Sequence, residues 1–136
     1  MATRSLIGKI LPGGGILAIY CHWDGYPENN GEILKNHYQD PEKVDKLISL
    51  GDLSSLAPEI GDEPHDFNSP PDGVCNFYGR DRQETGVDPQ LSHTLTQFMK
   101  RADKCTAEYV YIFNDGKWSY SRVTSSAESA NFAELE

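Results

Sequence analysis

The chain has 136 residues, a formal charge of −9 and a pI near 4.8. That length accommodates one domain and leaves no room for a second conventional core. Hydrophobic residues at 38% and charged residues at 24% exclude the membrane and low-complexity classes, and the acid excess argues against direct nucleic-acid binding through phosphate neutralisation.

No apolar run approaches the roughly 18 residues of a bilayer span, so no membrane association is expected. Met1 to Leu11 has no long apolar core with a small-residue cleavage site, so no secretory signal is expected. The three cysteines, Cys21, Cys75 and Cys105, are widely spaced and form no Cys-x-x-Cys pair. Unpaired thiols suit a reducing cytoplasm.

Two apolar, β-branched runs open the chain, Leu6 to Leu11 and Ile16 to His22, separated by Pro12-Gly13-Gly14-Gly15. This pattern predicts a β-hairpin. The second run is apolar on both faces and so reads as a central strand. From Glu28 to Tyr38, Ile33, Leu34, His37 and Tyr38 fall on one side of a predicted helix. Asp40-Pro41 starts a second helix, with Val44, Leu47 and Ile48 as its stripe and Gly51 as its stop. Leu53, Leu56 and Ile60 are expected to continue the apolar surface through a short turn.

Gly61 to Gly73 reads as a long loop, with Pro64, Pro70 and Pro71 among its acids. Val74 to Tyr78 is a short strand candidate, and Gly79-Arg80-Asp81-Arg82 follows at its end. Asp88-Pro89 repeats the cap-then-Pro signal before a helix marked by Leu91, Leu95, Phe98 and Met99. Glu108 to Asn114 and Lys117 to Val123 alternate around Asp115-Gly116, a clear hairpin. The order β-β-α-α-β-α-β-β predicts a single α+β domain over 1–122. Its sheet is expected to be mainly antiparallel, of about five strands, with helices on one face. Residues 123–136 form an acidic tail, either frayed or a short docking helix.

The charge is uneven. Residues 57–90 carry eight acids against two bases, whereas the last helix and hairpin are mildly basic. Asp62, Glu63, Asp66 and Asp72 form the core of this acidic segment. Concentrated carboxylates can attract a basic protein surface; equally, they can serve only to solvate a loop.

Four residues are candidates for a ligand pocket. His22 and Asp24 are two apart at the end of a buried strand and can share a face, with Tyr26 close by. Arg80 can clamp a carboxylate or phosphate. Each has a structural alternative. Asp24-Gly25 can be a turn with Asp24 bonding nearby N–H groups and positive φ at Gly25, and Arg80 can pair with Asp81. Ser54 and Ser55 can meet an anion or simply cap a turn, and neither sits in a Gly-x-Ser-x-Gly elbow. His37, His65 and His93 lack metal-ligand spacing, and His65-Asp66 has no second anchored ligand. No catalytic residue, metal or cofactor is expected.

Ile19-Tyr20-Cys21-His22-Trp23-Asp24-Gly25-Tyr26-Pro27, Gly31, Leu34, Ile48 to Leu56 and Tyr78-Gly79-Arg80-Asp81 form a distinctive set. Together they resemble a small family of bacteriophage and mobile-element proteins, over about Ile16 to Tyr120. The family has no settled activity, so the resemblance carries no catalytic residue across. It implies an accessory role of a kind common in phages, binding and disabling a host system, including defence proteins.

Two functions therefore stand as expectations. The first is a non-catalytic accessory protein that inhibits a host protein with a basic surface through acidic and aromatic surface. The second is a pocket protein that sequesters or cleaves a small anionic molecule, such as a nucleotide signal, through His22, Asp24, Tyr26 and Arg80.

Overall fold

In the computed structural model, which describes residues 2–123 and 132–135, β1 (Ser5–Ile10) and β2 (Ile16–Cys21) form the expected hairpin. Its turn is closed by the Leu11 N–H on the Gly15 carbonyl and the Gly14 N–H on the Leu11 carbonyl, both at 2.8 Å. A π-helical turn (Pro27–Gly31) leads into α1 (Glu32–His37), and α2 spans Pro41–Ser49. As expected, the Asp40 carboxylate accepts the Glu42 N–H at 3.0 Å and Pro41 takes the first helical position. Gly51 then turns the chain with φ +86°, and a Cβ there would lie 2.3 Å from the Val87 carbonyl oxygen. Only glycine fits that crossing.

The expected turn at Leu53 is instead a strand, β3 (Leu53–Ser55), followed by β4 (Asn76–Phe77) and a short helix, α3 (Tyr78–Arg82). The expected helix start at Asp88-Pro89 also fails. Gln90–Ser92 is a strand, β5, antiparallel to the first half of β2. Helix α4 (Leu95–Lys104) starts at Thr94, whose hydroxyl accepts the Gln97 N–H at 3.1 Å while the Gln97 side chain accepts the His93 N–H at 2.8 Å. That reciprocal cap fixes the start, and it leaves Leu91 and Leu95 exposed while Phe98, Met99 and Ala102 are buried. β6 (Tyr109–Asn114) and β7 (Lys117–Arg122) form the predicted second hairpin, and β8 (Ala133–Glu134) pairs with β7. The tail thus contributes a strand rather than a helix at 133–134; the rest of that expectation, residues 124–131 and 136, lies outside the described residues.

Among the described residues, eight strands make one sheet in the order β4-β3-β2-β1-β6-β7-β8, with β5 beside β2. The sheet is therefore larger than the five strands expected. Most pairs are antiparallel; β1–β6 and β2–β3 are parallel. The α+β class stands.

Helices on one face is an expectation the structure corrects. On one face Ile7, Ile19, Tyr111 and Trp118 pack with Leu34 of α1 and Leu47 of α2. On the other, Leu6, Ala18, Val110 and Ile112 pack with Phe98 and Met99 of α4. The reason is legible in β1, β2 and β6, where consecutive residues are buried to both sides and each face needs a cover. No helix among the described residues is long and apolar enough to cross a membrane.

Candidate functional site

Loop 61–73 leaves the sheet between β3 and β4 and is held from below by α3. Phe77 is extended (φ −105°), so Tyr78 to Arg82 turn inward beneath the loop. Arg80 uses all five of its N–H donors internally. Nε and Nη2 reach the two Asp81 oxygens at 2.9 and 3.1 Å, Nη1 reaches the Ile60 and Gly61 carbonyls at 2.9 and 3.0 Å, and Nη2 also reaches the Cys75 carbonyl at 3.1 Å. The Asp81 side chain is fully buried and also accepts the N–H groups of Phe77 at 2.8 Å and His65 at 3.1 Å. Burial pushes the Asp81 carboxyl up, but the Arg80 bond and the two backbone donors outweigh it and hold the group below its ordinary range. Asn76 completes the brace, accepting from His65 Nε2 at 2.9 Å and donating to the Phe67 carbonyl at 3.0 Å.

The consequence is an ordered platform with its carboxylates outward. Asp62, Glu63, Asp66 and Asp72 are all exposed. Asp62 is 98% exposed and faces Lys46 at 3.6 Å. Asp66 accepts the Asn68 N–H at 3.0 Å, an Asx turn that shapes the loop tip. Beside them, Phe67 packs on Tyr78 with centroids 5.5 Å apart, and Arg82 lies over both rings. The Tyr78 hydroxyl lies near the Ser54 side chain, and the Ser54 carbonyl accepts the Trp23 N–H at 3.0 Å. One line of contacts therefore joins the acidic loop to Trp23, which is 44% exposed.

The four ligand-pocket candidates are used differently from one another. Arg80 is the loop brace and has no donor left for an incoming anion, so of its two readings the pairing with Asp81 describes it. His22 continues β2, its N–H on the Leu53 carbonyl at 3.1 Å, and its Nδ1 lies 2.8 Å from the Tyr20 hydroxyl. Burial, and then the charge of Arg4, lower its pKa, so the ring is neutral at neutral pH. Asp24, not Gly25, takes the positive φ, at +55°. Its carbonyl, rather than its carboxylate, closes the turn by accepting from Asn29 at 3.1 Å. Gly25 serves close approach: a Cβ would lie 2.7 Å from Ser5 Cβ and 2.8 Å from the Thr3 carbonyl oxygen. Tyr26 is partly exposed and its carbonyl starts the π-helical turn by accepting from Asn29 and Asn30.

A cleft of about 530 Å³ opens elsewhere, on the α4 face, lined by Tyr20, Asp52, Gln90, Arg101, Lys104 and Cys105. It arises from a fork in the sheet. β5 pairs with β2 from Ile16 to Ala18, and β3 takes over only at Cys21. Two side chains stand in for the missing strand: Asp52 accepts the Tyr20 N–H at 2.9 Å, and Arg101 donates to the Ala18 carbonyl at 3.0 Å. These roles leave no sign in the sequence, because the partners are backbone groups that any residue carries.

All three cysteines are free, and burial raises each thiol above its ordinary value, Cys21 to about 12. They are protonated thiols at neutral pH, poor nucleophiles and poor ligands. Among the described residues no three His, Cys, Asp or Glu side chains group as a metal site would require. Comparisons with family models, curated proteins and solved structures give no match to this chain.

Proposed function

We propose that this chain is a non-catalytic binding protein that engages a partner protein with a basic surface through loop 61–73. The observation that carries the reading is the brace: a buried Arg80–Asp81 pair fixes a loop whose four acids point to solvent. A solvating loop needs no such anchoring. A docking loop gains from it, because order already present in the free protein is not lost on binding. Exposed Trp23 and the Phe67–Tyr78–Arg82 stack supply the aromatic and Arg side chains that contribute most at interfaces. The resemblance to phage and mobile-element proteins directs the search to a bacterial host protein, defence proteins included, and to inhibition as the outcome.

The test is capture of a partner from bacterial lysate, followed by titration of the purified pair. Reversing Asp62, Glu63, Asp66 and Asp72 to Lys is expected to abolish binding, and affinity for the unmodified chain is expected to fall with added salt. Unchanged affinity after reversal would falsify the acidic surface. The small-anion reading loses Arg80 from its pocket, but the cationic groups of the sheet-fork cleft give it a different location.

A further inference from the structure

The sheet-fork cleft is lined by charged groups that the fold buries in part and bonds only in part. Asp52 uses Oδ1 to cap the Tyr20 N–H, while Oδ2 has no hydrogen-bond partner among the described residues. Arg101 uses Nη1 on the Ala18 carbonyl, and its Nε and second terminal nitrogen have no hydrogen-bond partner among the described residues. No ion pair within 4.0 Å joins the two. Burial raises the Asp52 pKa, against the pull of the Tyr20 N–H and Arg101, and burial lowers that of Arg101. Burial removes part of the hydration of both groups and the bonds to the Tyr20 and Ala18 peptides compensate it only in part, while the unbonded oxygen and nitrogens stay open to solvent, where a ligand can reach them.

The geometry has a polarity. Arg101 and Lys104 sit one helical turn apart on α4 and both line the cleft. Asp52 lines it from the residue just before β3. Cations come from the helix and the carboxylate from the sheet. The Tyr20 hydroxyl, held by His22, offers a further polar contact on the cleft wall. A volume of about 530 Å³ falls within the roughly 300–1,000 Å³ of small-molecule sites. The position also fits, because β5 leaves β2 after Ala18 and β3 joins it only at Cys21, which opens the space that the cleft fills.

We propose that the sheet-fork cleft is a small-molecule site for a ligand with an anionic group and an N–H donor. The anion, a phosphate or carboxylate, meets Arg101 and Lys104, and the N–H group donates to Asp52 Oδ2. The site uses none of the carboxylates of the acidic loop, so it stands or falls separately from the docking surface.

The experiment is thermal unfolding and calorimetric titration of the full chain with four probes. Adenosine and guanosine monophosphate carry a phosphate and base N–H groups, glutamine carries a carboxylate and an amine, and inorganic phosphate carries no such donor. At about 5 mM, one of the first three is expected to raise the melting temperature by roughly 2 °C or more, because a ligand of the native state alone stabilises it. A response to the nucleotides identifies a phosphate ligand, and a response to glutamine a carboxylate one; either supports the site. Lys104→Glu, at an exposed position, is expected to weaken that probe about tenfold or more. Asp52→Asn is expected to weaken it while leaving inorganic phosphate unaffected. The proposal is overturned if none of the three probes shifts the transition, if Lys104→Glu binds as the parent does, or if inorganic phosphate binds as tightly as the nucleotides.

Discussion

Removing the guanidinium beneath the acidic loop, by Arg80→Ala, tests the brace directly. The substitution deletes five hydrogen bonds and leaves Asp81 as a carboxylate with 0% side-chain exposure and no guanidinium beside it. Breaking one side of a buried pair costs about 3–5 kcal/mol. Asp81 keeps the Phe77 and His65 N–H groups, and the loop carbonyls of Ile60 and Gly61 can rehydrate, so the lower end, about 3 kcal/mol, applies here. For a chain of this size that is roughly a 10 °C fall in melting temperature. Urea unfolding followed by tryptophan fluorescence measures it, with Arg82→Ala as the control. Arg82 pairs with Glu84 at 2.5 Å, but both are well exposed, so its loss is expected to cost less than about 1 kcal/mol. A second readout is partner affinity, which is expected to drop for Arg80→Ala although no interface carboxylate changes. A loss below about 1 kcal/mol for Arg80→Ala, or a loss equal to that of Arg82→Ala, refutes the brace.

Acid unfolding should report Asp81. Its folded pKa lies below its unfolded one, so its contribution is complete above the unfolded value of about 3.9 and disappears as pH falls through the depressed folded value; stability curves of Asp81→Asn and the parent should therefore converge in acid. Asp52 has the opposite sign, because its raised folded pKa makes the parent relatively more stable as pH falls through that value. Asp52→Asn keeps an oxygen for the Tyr20 N–H, so it should be neutral or stabilising at pH 7, and a loss above about 1 kcal/mol in urea melts would contradict the partial-compensation argument. Gly51→Ala meets both a positive φ and the Val87 carbonyl at 2.3 Å, so a cost of at least about 2 kcal/mol is expected by thermal unfolding. Tyr38→Phe removes a hydroxyl bonded to the Ala57 carbonyl at 2.7 Å and should cost about 1–2 kcal/mol by the same assay; no change would mean water replaces it freely.

What the sequence determined is local. The two hairpins follow from alternation and turn chemistry at Pro12–Gly15 and Asp115-Gly116, and α2 follows from its Asp40-Pro41 start and Gly51 stop, because such signals act within a few residues. The exposure of Asp62, Glu63, Asp66 and Asp72 was also readable, since carboxylates in a Pro-rich loop stay in water. Tertiary structure decided the rest. Residues 90–92 became a strand because the first half of β2 had a free edge to fill, against the helical signal of Asp88-Pro89. Helices cover both faces because β1, β2 and β6 bury side chains in both directions. The roles of Arg80, Asp52 and Arg101 depend on backbone groups brought near by folding, such as the Ile60, Tyr20 and Ala18 peptides. Every residue carries those groups, so their pairing leaves no mark in the sequence.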